Sequence, residues 1–187
     1  MIRQSLGYRF IRAVIYRHSK LIVFRHKFPG VNLGFGCLLR FDQISNIDFG
    51  QEVEVGNHCE IVSVSDDEGY GELIVQNKVV IGSFCNIRAS GASIRIGERT
   101  LIAQNVSIIG ANHMKDVSRR LEWDVDQRGV VVESDTWIGV GAIILPGVRI
   151  GAGSIVAAGS VVTRSIPSCE IWGGVPAKKL SDLKTSL

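Results

Sequence analysis

Histidine is the side chain that most readily takes up a proton near neutral pH, with an ordinary pKa of about 6.5. This chain of 187 residues has four of them, His18, His26, His58 and His113. His18 and His26 lie in a basic leader and His58 within a regular stretch, so all three read as structural. His113 follows Asn112 and stands where a regular pattern stops and an irregular segment begins. An imidazole at a corner beside a loop is placed to act as a general base. A zinc site of the γ-class carbonic anhydrase kind would need three histidines brought together, two of them about five residues apart, and the four positions offer no such pair. No metal is therefore expected. Cys37, Cys59, Cys85 and Cys169 form neither a CxxC nor a dense framework, and read as reduced thiols of a cytosolic protein.

The regular pattern that His113 closes is a repeat of six. From Val132 onward, Val132, Ile138, Ile144, Ile150, Val156 and Val162 recur at that spacing, with mostly small residues in each fifth place. Upstream the same period joins Phe49, Val55 and Ile61, then Val75, Ile81 and Ile87, then Ile96, Ile102 and Ile108. Each hexad predicts one short strand and one corner, with the branched residue inward. Three hexads make one coil, and a coil buries its face only by stacking on others. Residues 96–113, 132–149 and 150–167 read as such coils. Between the first two, residues 114–131 break the pattern and read as a protruding loop, which points to function. Smaller breaks fall at 67–74 and 90–92. Cys59 and Cys85 occupy fifth places, as buried thiols would.

Composition agrees with one folded domain: 45% hydrophobic, 21% charged and rich in glycine, with no aliphatic run long enough for a transmembrane helix. The leader has Arg or Lys every few residues and lacks the apolar core of a signal peptide. Residues 1–41 hold eight Lys and Arg and no acid, whereas the remainder is net acidic and carries no nucleic-acid motif, so no nucleic-acid partner is expected. Ile2, Leu6, Phe10, Ile11, Val14 and Ile15 recur at near-helical spacing among Arg3, Arg9, Arg12 and Arg17. Residues 1–30 are thus expected to form a basic amphipathic segment. It would cap the open end of the coil, or touch an anionic membrane surface through residues 1–28. The body spans 31–167 and a tail 168–187.

Beyond the bare period, several motifs follow one another: Asn112-His113, the loop, Trp137-Ile138-Gly139, Ile144-Leu145-Pro146-Gly147-Val148, Ala157-Ala158-Gly159-Ser160-Val161-Val162-Thr163 and Gly173-Gly174-Val175-Pro176-Ala177-Lys178. This ordered set resembles the hexapeptide-repeat acetyltransferases of the maltose, galactoside and nodulation type, and the sugar O-acetyltransferases of surface-polysaccharide clusters. The resemblance covers about residues 75–180. It implies an all-β solenoid, a left-handed parallel β-helix, assembled as a homotrimer with active sites shared between subunits. It also implies acetyl-CoA as co-substrate and no metal; the cysteines point to a cytoplasmic protein, and the basic leader, if it touches a membrane, to one peripheral at the inner membrane, which would suit a lipid-linked glycan acceptor. His113 would be the catalytic base for direct attack of a hydroxyl on the thioester, with Asn112, Asn86 and Trp137 toward the acceptor. Coenzyme A contacts carry over to Val140, Ala158, Thr163, Arg164 and Lys178. Val140 offers only its backbone N–H to the oxyanion, where some members have a serine; a further basic contact of some relatives falls on Ser181. Glu122, Asp124 and Glu133 are candidates for orienting the imidazole.

Other readings make different demands. A γ-class carbonic anhydrase needs its histidine triplet. A nucleotidyltransferase needs a preceding nucleotide-binding domain. N-acetylation of an amino sugar or of an antibiotic uses the same machinery on another acceptor. A non-catalytic scaffold would not need the Asn-His, loop and Pro-Ala-Lys set together. Apolar Ile143 and Val161, 18 residues apart in equivalent places, predict a face buried against a partner.

Overall fold

The first places of the hexads point inward and set the architecture. The computed structural model describes residues 6–65, 70–113, 118 and 129–183, with side chains from residue 15 onward, Arg17 excepted. All the hexad-opening residues named above are buried, none more than 4% exposed. The chain winds around three faces. Face A holds strands Val31–Leu33, Val53–Val55, Val80–Ile81, Leu101–Ile102, Trp137–Ile138 and Ile155–Val156. Face B holds Leu38–Phe41, Glu60–Val64, Asn86–Ser90, Ser107–Ile109, Ile143–Ile144 and Val161–Val162. Face C holds Ile47–Phe49, Glu72–Val75, Ser93–Ile96, Val130–Val132 and Val148–Ile150, and Ile166 bridges to Ile150 above them. Successive strands visit A, B and C in turn, and each pairs in parallel with the strand one coil away. This is a parallel β-helix of the left-handed class.

The fifth places fill the corners with groups whose hydrogens reach carbonyl oxygens. Ser154 and Ser160 donate to Pro167 and Ala157, both at 2.7 Å, and Thr136 donates to Glu133 at 2.8 Å. The buried thiols of Cys59 and Cys85 donate to Gly82 and Ala103, both at 3.1 Å. Each of these inward polar groups has a partner built in.

All three pattern breaks fall on one edge, between faces B and C. The structure narrows two of them. Glu72–Val75 already pairs with Ser93–Ile96, so the first break ends before residue 72. Val130–Val132 pairs with both Ile94–Ile96 and Val148–Ile150. The loop therefore stops short of the expected residue 131, because Val130 and Val132 both point into the core. Of the loop itself, 114–117 and 119–128 lie outside the described residues.

Each open end is closed differently. At the start, helix α1 (Leu6–Lys27) lays Phe24 on Phe28 and on Phe49 of the first coil, both with ring centroids at 5.1 Å. Lys27 ties it down by donating to the Ile44 and Ile47 carbonyls at 2.7 and 2.9 Å. At the far end, Glu170–Gly174 adds in parallel to Ile155–Val156, and the chain then turns back as antiparallel Ala177–Asp182. The segment read from sequence as a tail is a hairpin. Its Trp172 plugs the core and donates to Glu170 at 2.6 Å. Lys179 beside Glu170 holds that carboxyl below its ordinary pKa, with the Trp172 hydrogen bond adding to the effect.

Candidate functional site

Three faces and three edges give each candidate residue an address. Ser107–Ile109 crosses face B, Gly110 and Ala111 turn the corner, and Asn112 and His113 emerge exposed on the B–C edge. Asn86 lies on face B, paired in register with Ser107 one coil on. Its neighbour Ile87 points inward, so Asn86 sits on the outer row between Glu60 and Ser107. The Asn86 Oδ1 is nonetheless shielded from solvent and has no hydrogen-bond partner among the described residues. An unsatisfied buried acceptor of this kind points to a ligand or to a compensating function.

The remaining candidates divide between two places. Trp137 is on face A, 49% exposed, in register with Leu101 and Ile155. Val140 and Ala158 are exposed on the A–B edge, one coil apart, and Gly159 N–H donates to the Val140 carbonyl at 2.8 Å. The residues after them, Gly141 and Gly159, have φ of +69° and +68°, and nothing approaches within 4 Å of where a Cβ would be. These glycines turn the corner where a side chain would strain it, and they leave the edge open. Lys178 is exposed in the hairpin, opposite Gly173, and so lies toward the same edge. Thr163 and Arg164 follow the last face-B strand. The Arg164 guanidinium sits 5.3 Å from the Trp172 ring centroid, so it also lids the core plug.

Face A and the B–C edge are on opposite sides of a three-sided prism. Within one chain the structure therefore does not bring His113 together with Trp137, Val140, Ala158 or Lys178. Glu133 is also separated from His113: its carboxylate binds Arg149 and the Ala152 N–H at the far side of face C. Glu122 and Asp124 lie outside the described residues. No group of three or more His, Cys, Asp or Glu among the described residues is placed to hold a metal ion.

The faces differ in chemistry. The outer row of face C reads Asp48, Ile74, Arg95, Val131, Arg149, flanked by Glu72 and Glu133 in ion pairs with the two arginines. Along face A, Val80, Leu101 and Trp137 form an exposed apolar stripe continued by Ile155 and Ile171. Face B adds Ile143 and Val161, stacked in register. Sequence reasoning found the second patch. It missed the first, although Val80, Leu101 and Trp137 each immediately precede a hexad-opening isoleucine, a position that must face outward.

The model of the family described as "Bacterial transferase hexapeptide (six repeats)" matches residues 129–164. WbbJ of Escherichia coli K12, named for O-acetyl transfer in lipopolysaccharide biosynthesis, is 33% identical over 174 residues, covering 88% of this chain and 80% of WbbJ. A Saccharomyces cerevisiae protein named as an acetyltransferase is 46% identical over 88 residues, 47% of this chain and 45% of that one. The chain spans about half the length of this and several other curated relatives it matches. Among solved structures, AntD, an N-acyltransferase from Bacillus cereus in complex with dTDP-4-amino-4,6-dideoxyglucose and coenzyme A, superposes with a TM-score of 0.67. It covers 86% of this chain and 88% of AntD at 22% identity, a likeness of fold.

Proposed function

The chain belongs to the hexapeptide-repeat acetyltransferases, and we propose that it moves an acetyl group from acetyl-CoA to a hydroxyl of a sugar, within a surface polysaccharide or a lipopolysaccharide precursor. The observation that carries this reading is the likeness to WbbJ, sustained over nearly the whole chain. The His113 imidazole takes the proton of the hydroxyl as its oxygen attacks the thioester carbonyl. The Val140 N–H is the donor offered to the negative charge that develops on the carbonyl oxygen of the thioester. As the carbon–sulfur bond breaks, the imidazolium returns the proton to the departing thiolate. No acyl-enzyme is needed.

Coenzyme A fits the open A–B edge as co-substrate. Val140 and Ala158 offer backbone groups to the extended arm and Lys178 a positive charge for the phosphates on that edge, whereas Thr163 and Arg164, which follow the last face-B strand, would meet the nucleotide only across the C-terminal end of the coil. Since the edge that carries Val140 and the edge that carries His113 are separated by face B, the site is composite. Apolar patches on two different faces are what a closed ring of head-to-tail contacts requires. In a homotrimer that buries the apolar patches of faces A and B, we place the site where the Val140 edge of one chain meets the His113 edge of its neighbour, with Trp137 and Asn86 toward that junction.

Two measurements probe this arrangement. Leu101→Asp puts a carboxylate into the face-A stripe, where Leu101 is 44% exposed in the single chain. By light scattering at micromolar concentration the unaltered chain should show three times its 20.4 kDa mass, and the variant a single mass with its fold intact. A monomeric unaltered chain would overturn the ring. Asn86→Ala should leave the unfolding midpoint unchanged or higher, since an unsatisfied buried acceptor costs about 1–3 kcal/mol. The same change should lower kcat/KM for the acceptor at least about tenfold, because a sugar hydroxyl is then no longer held by the amide. Reduced stability with unaltered kinetics would make Asn86 a structural residue.

The reaction itself is tested with purified protein, acetyl-CoA and a panel of sugars, amino sugars and chloramphenicol, following release of the coenzyme A thiol. Release that depends on a hydroxyl-bearing sugar is the expected result. Preference for an amino group or for chloramphenicol would move the assignment to N-acetylation or antibiotic acetylation, and no acceptor-dependent release would support the scaffold reading.

A further inference from the structure

Helix α1 is apolar on two sides. Phe24 and Phe28, with Leu21, face the first coil and are used up in closing it. On the opposite side Ile15 and Ile22, two turns apart, are 62% and 67% exposed, and Tyr16 and Val23 continue the stripe. The capping role does not account for this second face, which a solvated helix end would fill with polar residues. Arg25 and His18, both exposed, flank it, and Ser19 and His26 lie within it. Between helix and coil lies a cavity of about 250 Å³ with Arg25 and His18 over a floor of Leu21, Leu33 and Leu39. Among the described residues no helix is long and apolar enough to cross a membrane.

We propose that this outer face of α1 is a docking surface for a lipid bilayer with anionic headgroups. The charge decides the occupant. Residues 1–41 contain eight Lys and Arg and no acid, so a second copy of the helix would meet like charge with like charge. An anionic headgroup layer accepts both the apolar stripe and its basic flanks, with the helix lying in the interface. Because α1 covers the first coil, the docked prism stands with that end toward the bilayer. The coil of Leu101–Ile102 and Ser107–Ile109 is three strand spacings further out, about 15 Å. On the acetyl-transfer reading, His113 is then within reach of a sugar carried on a lipid, but the docking itself does not depend on that chemistry.

The test is sedimentation of the full chain with vesicles of phosphatidylcholine alone and of phosphatidylcholine with phosphatidylglycerol, at low and at high salt. Pelleting with the anionic vesicles, released by salt, is the expected result. The double variant Ile15→Ser, Ile22→Ser should lower the pelleted fraction at least about threefold, and Arg25→Glu should do so with anionic vesicles only. Unfolding midpoint and solution mass should stay those of the unaltered chain. Negligible pelleting of the folded chain, or equal pelleting with both compositions, would overturn the proposal. So would a fall in solution mass in the double variant, which would give the stripe to another copy of the chain.

Discussion

His113→Ala should lower kcat at least about a hundredfold while acetyl-CoA binding, measured by calorimetry, stays within error of the unaltered enzyme. A general base typically contributes 10²- to 10⁴-fold, and nothing on the B–C edge in the described residues offers a second imidazole to replace it. His113 is exposed at the end of a coil rather than packed in the core, so its removal leaves the buried ladder intact. The effect therefore belongs in turnover and not in the unfolding midpoint. Turnover close to that of the unaltered enzyme would remove His113 from the chemistry.

The second large effect concerns where the site is. Gly139-Val140-Gly141-Ala142 has the form of a type II turn, with Gly141 at φ +69° and the Ala142 N–H donating to the Gly139 carbonyl at 3.2 Å. Proline is favoured at the second position of such a turn, so Val140→Pro keeps the corner and removes one N–H. Losing a single oxyanion donor costs about 10²- to 10³-fold in kcat. His113→Ala and Val140→Pro chains, each nearly inactive, should recover activity when unfolded together and refolded as mixed trimers. With random assembly about a quarter of the sites pair an intact His113 with an intact Val140 from the next chain, so about a quarter of the unaltered activity should return. A mixture no more active than its parents would place the whole site within one chain.

The period of six made most of this fold legible, because the inward place of a β-helix admits little except a branched aliphatic residue and the register repeats without drift. Ile102, Ile138 and Val156 announce themselves. What escaped were features that obey no period. Glu170–Asp182 leaves the hexad rhythm to form an antiparallel hairpin, and the stacking of Arg164 on Trp172 joins residues whose proximity only the closed end of the coil creates. The expected end of the loop is two residues late, because the count of six starts at Val132 whereas the strand starts at Val130, just after Gly129 turns the chain at φ +80°. His113 stood out by position, at the boundary between repeat and insertion. Its role came from resemblance, and the separation of His113 from Val140 by a full face could be seen only once each residue had an edge.

The crowding of every interruption onto the B–C edge has an evolutionary consequence. Backbone bonds run up that edge without a gap, from Gly147 to Gly129, from Gly129 to Gly110 and from Gly110 to Arg88. The chain can leave the ladder after one strand and rejoin it at the next with the rungs preserved. Lengthening an insertion there adds only closure entropy, about 0.6 kcal/mol for each doubling. Excursions on this edge can thus vary in length and sequence while the structural frame is kept. Lineages can trade one excursion for another beside a fixed imidazole, and an engineer can graft a foreign loop between residues 113 and 129 without renegotiating the core.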